Sequence, residues 1–254
     1  MIDFRIIDGA AWVTLRRPER ANAIDPQLAR ELLESIRIAE DDPSCHVLVV
    51  ASSGKHFSAG GDLAGVMAQP DPVEAVRELA TIASDVMRRL ATSRLAVVSV
   101  VQGPVAGAGV ALVLASDIVL ASDEASFLSA YGAVGLTPDC GVSHLLPRVV
   151  GPRRAVEFCI LGRRLTADEA ADWGIVNEVV PRDRLDDRAA ELAVALMSSA
   201  VGAIGPAKAL LNTDALVGYE NAIRLEIDTI AARLASPDAQ ARIGAFFGKA
   251  SERT

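Results

Sequence analysis

Aromatic and basic residues are both in short supply. Phe, Tyr and Trp make up 4% of the 254 residues, and 33 acidic side chains outnumber 25 Lys and Arg, leaving a net charge of -8. Such a chain offers neither the basic field nor the stacking platforms that nucleic-acid binders use, which excludes nucleic acid as a partner. Cysteine is rarer still: Cys45, Cys140 and Cys159 form an odd, widely spaced set. They suggest neither a disulfide framework nor a metal site, and they suit a reducing cytoplasm. A signal-peptide pattern is also missing, because Met1 to Phe4 leads straight into alternating strand-like residues, so a cytoplasmic protein is expected. One nearly uncharged stretch, Leu95 to Ala115, is long enough to span a membrane. Gln102, Gly103, Pro104, Gly107 and Gly109 interrupt it, so a strand, a Gly-rich loop and a buried helix are predicted and no membrane partner.

What is present is apolar: 51% of the residues are hydrophobic, enough for a sizeable α/β core. Strands are predicted at Ile2 to Ile7 and Ala11 to Leu15 around Asp8-Gly9. A helix follows from Asp25-Pro26 to about Glu40, and a second from Asp71-Pro72 to about Leu90, each with an Asp N-cap and Pro at its first position. Between and after them, Val47 to Ala51, Ala96 to Val101 and Asp117 to Ala121 read as buried strands. Beyond Gly135 helices dominate: Gly141 to Val150, Pro152 to Leu161, and Thr166 to Trp173 with a Thr166/Glu169 capping box. One more strand is predicted at Val176 to Val180. Helices then start at Leu185, Gly205-Pro206, Val217-Gly218 and Ser236-Pro237.

Two Gly-rich strand-to-helix junctions carry the chemistry. In His56-Phe57-Ser58-Ala59-Gly60-Gly61-Asp62-Leu63 the glycines allow close backbone approach and Asp62 is a plausible helix N-cap, so free N–H groups meet a helix dipole. An ordinary Gly-rich turn fits the same residues. Gln102 to Gly109 repeats the pattern, and two converging turns can aim two N–H groups at one acyl oxygen. Neither has the spacing of a dinucleotide fingerprint or a phosphate loop.

These segments carry a resemblance. His56 to Leu63, Val97 to Ile118, Leu161 to Ala167, Gly174-Ile175-Val176-Asn177, Val180-Pro181 and Leu15 to Ala23 resemble, in order and over nearly the whole length, the enoyl-CoA hydratase/isomerase (crotonase) superfamily. The resemblance implies an α/β fold: a crotonase-like spiral of ββα units over residues 1–195 with the CoA site and oxyanion hole, and a C-terminal helical trimerisation region over 196–254. It implies an acyl-CoA thioester substrate, with coenzyme A part of that substrate rather than a separate cofactor, no metal, and a homotrimer or a hexamer built as a dimer of trimers. It places the oxyanion N–H groups on Gly61 and Ala108. It further implies CoA contacts from Arg16 or Arg20, backbone around Ala21, Ala23, Ala59 and Gly60, and Lys249 reaching a neighbouring subunit. Leu63, Ala111, Tyr131 and Leu136 are expected to line the acyl pocket, within a wall drawn from the Leu63 to Ala91 segment.

The reaction depends on carboxylates. Hydratases of the superfamily use two glutamates; the matching positions here are Ala111 and Tyr131, and no acid lies between Glu124 and Asp139. Asp139, in Gly135-Leu136-Thr137-Pro138-Asp139-Cys140-Gly141, resembles instead the carboxylate of the isomerase branches, including ring-opening isomerases of epoxyphenylacetyl-CoA. One base that moves a proton between two carbons of an enolate suffices to shift a double bond. An enoyl-CoA isomerase with Asp139 as proton shuttle is therefore expected. The alternatives are a hydratase with non-standard groups, a hydrolase or dehalogenase using Asp139 as nucleophile, and a silent acyl-CoA binder. Asp139 also reads as a helix N-cap, Tyr131 as a pocket wall rather than a hydroxyl donor, and Cys140 with His144 as a remote thiol-nucleophile pair.

Overall fold

The computed structural model describes residues 1–251, with side chains through residue 248. In chain order it runs β1 (Ile2–Ile7), β2 (Ala10–Leu15), α1 (Pro26–Asp41), β3 (Val47–Ser52), α2 (Leu63–Met67) and α3 (Pro72–Thr92). Next come β4 (Ala96–Val101), β5 (Val105–Ala106), α4 (Ala108–Leu114), β6 (Ile118–Ser122), β7 (Ser126–Leu128), α5 (Val142–Val150) and α6 (Pro152–Leu161). The rest is β8 (Arg164–Thr166), α7 (Ala167–Asp172), β9 (Glu178–Val180), α8 (Leu185–Met197), α9 (Val201–Asn212), α10 (Tyr219–Leu234) and α11 (Pro237–Ser251). Short 3₁₀ turns lie at Pro18–Arg20, Tyr131–Val134 and Arg182–Arg184.

Six strands form the main sheet in the order β1-β2-β3-β4-β6-β9, antiparallel between β1 and β2 and parallel elsewhere. Side chains alternate across it, which is the period-2 rule of a sheet covered on both faces. Val47, Val49, Val98, Val100 and Leu120 face Leu185, Ala189 and Ala193 of α8. Leu48, Val50, Val97, Val101 and Ala121 belong to the larger core on the opposite side, with α1, α3 and α4. A second sheet, β5-β7-β8, stands beside it. The apolar stretch at Leu95 to Ala115 divides into β4, β5 and α4, and no single helix among the described residues is long and apolar enough to cross a membrane.

The caps act as their residue types require. Asp25 accepts from the Leu28 N–H at 2.7 Å, Asp62 from Gly65 at 2.9 Å, and Asp71 from Val73 and Glu74, while Thr166 and Glu169 form the capping box. Several boundaries differ from the sequence reading. β9 begins at Glu178 rather than Val176, and β5, β7 and β8 are too short to show a period. Gly205-Pro206 starts no helix; both lie inside α9, where the absence of a Cβ on Gly205 lets the helix approach the Arg94 carbonyl. α5 begins at Val142 with Gly141 as its N-cap, so Asp139 is not the capping residue. Glu226 of α10 does that work instead, accepting from Gly141 N–H at 2.6 Å and Ser143 N–H at 2.8 Å.

Candidate active site

The two Gly-rich junctions lie against each other because their flanks pair. Phe57 N–H donates to the Pro104 carbonyl at 3.0 Å and Ala106 N–H to Ser58 at 2.8 Å, while Ser58 and Val105 form a parallel bridge. Gly60 then sits so near the second turn that a Cβ there would lie 2.9 Å from the Ala106 oxygen and 3.0 Å from the Ala108 nitrogen, at φ +92. Only glycine fits. Gly61 and Ala108 follow, both lining one cavity of about 390 Å³. Among the described residues neither N–H has an acceptor, in a place where nearby amides are paired. Two unpaired backbone donors facing one apolar cavity are what a developing oxyanion requires.

A buried ion pair holds the first turn. Arg17, between β2 and the first 3₁₀ turn, reaches Asp62 at 2.7 Å and Asp25 at 3.2 Å and donates to the Ala23 carbonyl at 2.9 Å. One guanidinium thereby ties the N-caps of α1 and α2 together. Burial pushes the Asp62 carboxyl up, but the Gly65 N–H and Arg17 more than offset it and hold it below the ordinary value. Asn22 braces the same region, donating from Nδ2 to the Ser53 and His56 carbonyls at 2.8 Å each. The sequence reading assigned no role to Arg17 or Asn22, whose partners are distant in the chain.

Asp139 lines the same cavity as Gly61 and Ala108. Its Oδ1 accepts from the Tyr131 hydroxyl at 2.6 Å, so Tyr131 is more than the wall that the sequence suggested. Burial raises the Asp139 carboxyl above the ordinary range, against the lowering effect of hydrogen bonds from Tyr131 and Cys140. Burial likewise drives the Tyr131 hydroxyl and the Cys140 thiol well upward, with the Asp139 charge adding to both. Cys140 is therefore a poor thiolate, and it precedes α5 at φ +56 rather than sharing the helix with His144. The His144 Nε2 is instead 2.7 Å from the Ala215 carbonyl, so the thiol-nucleophile pair does not form.

Other expected residues divide in two. Leu63, Leu136, Ala23, Ala59 and Arg20 line the cavity with Tyr131, and from the Leu63 to Ala91 segment Ala64, Val66, Val76, Leu79, Ala80 and Ala83 join them. Ala111, Ala21, Gly60 and Arg16 do not face it. Ala111 is fully buried on the inner side of α4, one turn past the oxyanion donor, and Arg16 is turned to the surface, 3.5 Å from Asp3. Lys249 lies outside the described residues as regards its side chain. The sequence reading missed Ile230, Phe246 and Phe247, which bring α10 and α11 to the cavity, and Glu226. A signal for Glu226 existed: it occupies the buried stripe Ile223, Glu226, Ile230, Leu234 of α10, where a charge demands a partner.

A second, polar groove of about 840 Å³ adjoins the first and shares Arg20, Asp62, Ala64 and Val66 with it. Arg17 and Arg30 also line it, yet Arg17 is held by Asp25 and Asp62 and Arg30 by Glu78. Arg20 forms no salt bridge among the described residues, although its charge acts on Asp62. No cluster of three or more His, Cys, Asp or Glu that could hold a metal occurs among them either.

Comparison with known proteins adds four findings. The family model for enoyl-CoA hydratase/isomerase matches residues 5–252. The chain is 34% identical over 247 residues to a 1,2-epoxyphenylacetyl-CoA isomerase of Escherichia coli K12, covering 96% of this chain and 94% of that protein. It is 32% identical over 244 residues to a 4-chlorobenzoyl coenzyme A dehalogenase of Arthrobacter sp, covering 95% and 88% respectively. Among solved structures, an enoyl-CoA hydratase from Mycobacterium avium subsp. paratuberculosis K-10 superposes with a TM-score of 0.88 at 32% identity, covering 95% of this chain and 96% of that one.

Proposed function

The chain belongs to the enoyl-CoA hydratase/isomerase family of acyl-CoA enzymes, and on that premise we propose that it is an isomerase whose proton shuttle is Asp139. The observation that carries this reading is the composition of the cavity wall. Among the described residues two carboxylates line it, and Asp62 is committed to Arg17 and the Gly65 N–H. Asp139 alone is left to exchange a proton, and its burial favours the protonated form that a base passes through.

The thioester carbonyl of the substrate accepts from the Gly61 and Ala108 N–H groups. Asp139 removes a proton from an acyl carbon next to the carbonyl or conjugated with it, the negative charge moves onto the thioester oxygen, and the two donors stabilise it. Return of the same proton at a different carbon completes the shift of the double bond. Where an epoxide sits on the carbon β to the thioester carbonyl, the same enolate expels the epoxide oxygen: a C=C bond forms as that C–O bond breaks, and the oxygen takes up the proton held by Asp139. The CoA moiety leaves the cavity past Arg20, Ala23 and Ala59 into the polar groove. A homotrimer, or a hexamer of two trimers, is the proposed assembly, supported by the bare apolar side chains Leu210 and Leu211 in the C-terminal helical region and Ile160 and Leu161 on α6.

Turnover of a 3-enoyl-CoA and of epoxyphenylacetyl-CoA by the wild type and by Asp139→Asn tests the reading. The variant is expected to lose roughly two to four orders of magnitude in kcat, the usual worth of a positioned base. Undiminished turnover removes Asp139 from the mechanism. Rapid hydration of crotonyl-CoA by the wild type would favour the hydratase instead, and a covalent adduct on Asp139 seen by mass spectrometry would favour the nucleophile.

A further inference from the structure

We propose that Tyr131 is a positioning residue for this proton transfer: its hydroxyl holds one oxygen of the Asp139 carboxylate and leaves the other to face the acyl group. The inference rests on the reading of Asp139 as the base. Its first support is the 2.6 Å bond from the Tyr131 hydroxyl to Asp139 Oδ1, a length typical of donation to an ionised acceptor. Its second is the backbone that presents the pair. Ala130, just before Tyr131, has φ +62, and Cys140, just after Asp139, has φ +56. Left-handed residues other than glycine are costly and persist where the surroundings over-determine them, often at functional sites. Here two of them aim the two partners at each other across eight residues.

The arrangement fixes the direction of the chemistry. Burial, and then the neighbouring carboxylate, keep the Tyr131 hydroxyl protonated, so it donates and does not serve as a second base. When Asp139 is ionised, Oδ1 accepts from Tyr131 and Oδ2 is the oxygen that takes the substrate proton. When Oδ2 has taken the substrate proton, Oδ1 is the carbonyl oxygen of the acid and still accepts from Tyr131. One hydrogen bond thus survives both protonation states, and the carboxyl group need not rotate between collecting a proton and returning it.

The bond also sets basicity. Donation from Tyr131 stabilises the ionised carboxylate and so offsets part of what burial does. The other ionisable groups near Asp139 are few. Cys140 adjoins it with a neutral thiol, Glu226 of α10 is engaged by the Gly141 and Ser143 amides, and Asp62 with Arg20 stands elsewhere on the cavity wall. The segments of α3 and α11 that line the cavity contribute only apolar side chains to it. Removing the Tyr131 hydroxyl therefore raises the Asp139 carboxyl further.

Tyr131→Phe keeps the ring and deletes the donor. The expected result is a kcat roughly ten- to a hundredfold lower, the scale of one hydrogen bond to a charged group, with KM changed little. The acid limb of the kcat/KM profile moves to higher pH. A rise in KM with an unmoved acid limb would mean that Tyr131 only walls the pocket and would overturn the proposal. A second measurement needs neither turnover nor that variant. The chain has only two tyrosines, Tyr131 and Tyr219, so fluorotyrosine labelling gives two fluorine resonances that Tyr219→Phe assigns. The Tyr131 resonance is expected to follow a titration that Asp139→Asn abolishes; a resonance flat with pH in the wild type defeats the inference. Full turnover by Asp139→Asn defeats the isomerase reading instead, so the two failures are distinguishable.

Discussion

Asp139 is buried among apolar walls, and among the described residues its carboxylate is met by hydrogen bonds and has no salt-bridge partner. Such a group ties stability to pH. Its carboxyl lies above the unfolded value of 3.8, so the folded chain binds the proton more tightly than the unfolded chain. Stability from this group is therefore fully present below that value and declines as pH rises through the raised one. Asp139→Asn keeps an oxygen for the Tyr131 hydroxyl and removes the charge. The variant is expected to be inactive yet more stable at neutral pH, by about 1 kcal/mol or some 2–4 °C in melting temperature. That gain vanishes below the ordinary carboxylate range. Thermal melts of both proteins at acid and neutral pH check it, and equal differences at both would show that burial of the charge is not the cause. Residue by residue, the sequence singled out Asp139 as a candidate because an acid after Pro138 stands alone in its segment. It did not show that Tyr131 meets Asp139, because that depends on left-handed turns at Ala130 and Cys140, which side-chain pattern does not encode.

Helices α1 and α2 were legible for a simple reason: Asp25 and Asp62 are short acidic caps, and caps are local chemistry. What joins them was not. Arg17 bonds both caps from a position 45 residues before Asp62, and the N-terminus of α5 is capped from 85 residues away by Glu226. Sequence patterns show which residues need partners and leave the partners themselves to the fold. The Arg17 link also bears on the proposed oxyanion hole, since Asp62 directly follows Gly61. Arg17→Met should cost about 3 kcal/mol at neutral pH, the penalty for leaving a buried carboxylate unpaired, and should lower kcat/KM by releasing Gly61. The sign with pH is opposite to that of Asp139. Asp62 is held below its unfolded value, so its contribution is present above that value and is lost as pH falls through the lowered one. Urea unfolding of wild type and variant should converge in acid. A gap that persists there would place the loss in packing rather than in the ion pair.

At the scale of the whole molecule, the site is enclosed from both ends of the chain. Ile230, Phe246 and Phe247 complete a cavity whose other wall begins at Arg20, and the Arg233 Nε donates to the Gly135 carbonyl at 3.0 Å beside the turn that carries Tyr131. α6 supports that turn from behind: a Cβ on Gly132 would lie 3.8 Å from the Cys159 carbonyl oxygen and 3.9 Å from that of Ile160. The outer side of α6 carries three bare apolar side chains, Ile160 73% and Leu161 78% exposed beside Val156, next to Arg153. Side chains of this kind grouped on one helix face are costly in water and are commonly covered by a symmetric copy. In the proposed assembly, subunit contact and chemistry would be coupled through a single helix, with a neighbouring copy on one side and the turn bearing Tyr131 on the other. Light scattering after gel filtration is expected to give three or six times the chain mass of 26.6 kDa. The double substitution Ile160→Asp and Leu161→Asp, which leaves every cavity-lining residue in place, should yield the mass of a single chain. It should also lower kcat more than it raises KM, because the loosened turn carries the partner of the base rather than a CoA contact. A wild type that is monomeric at micromolar concentration, or a monomeric variant with unchanged kcat, would uncouple the two.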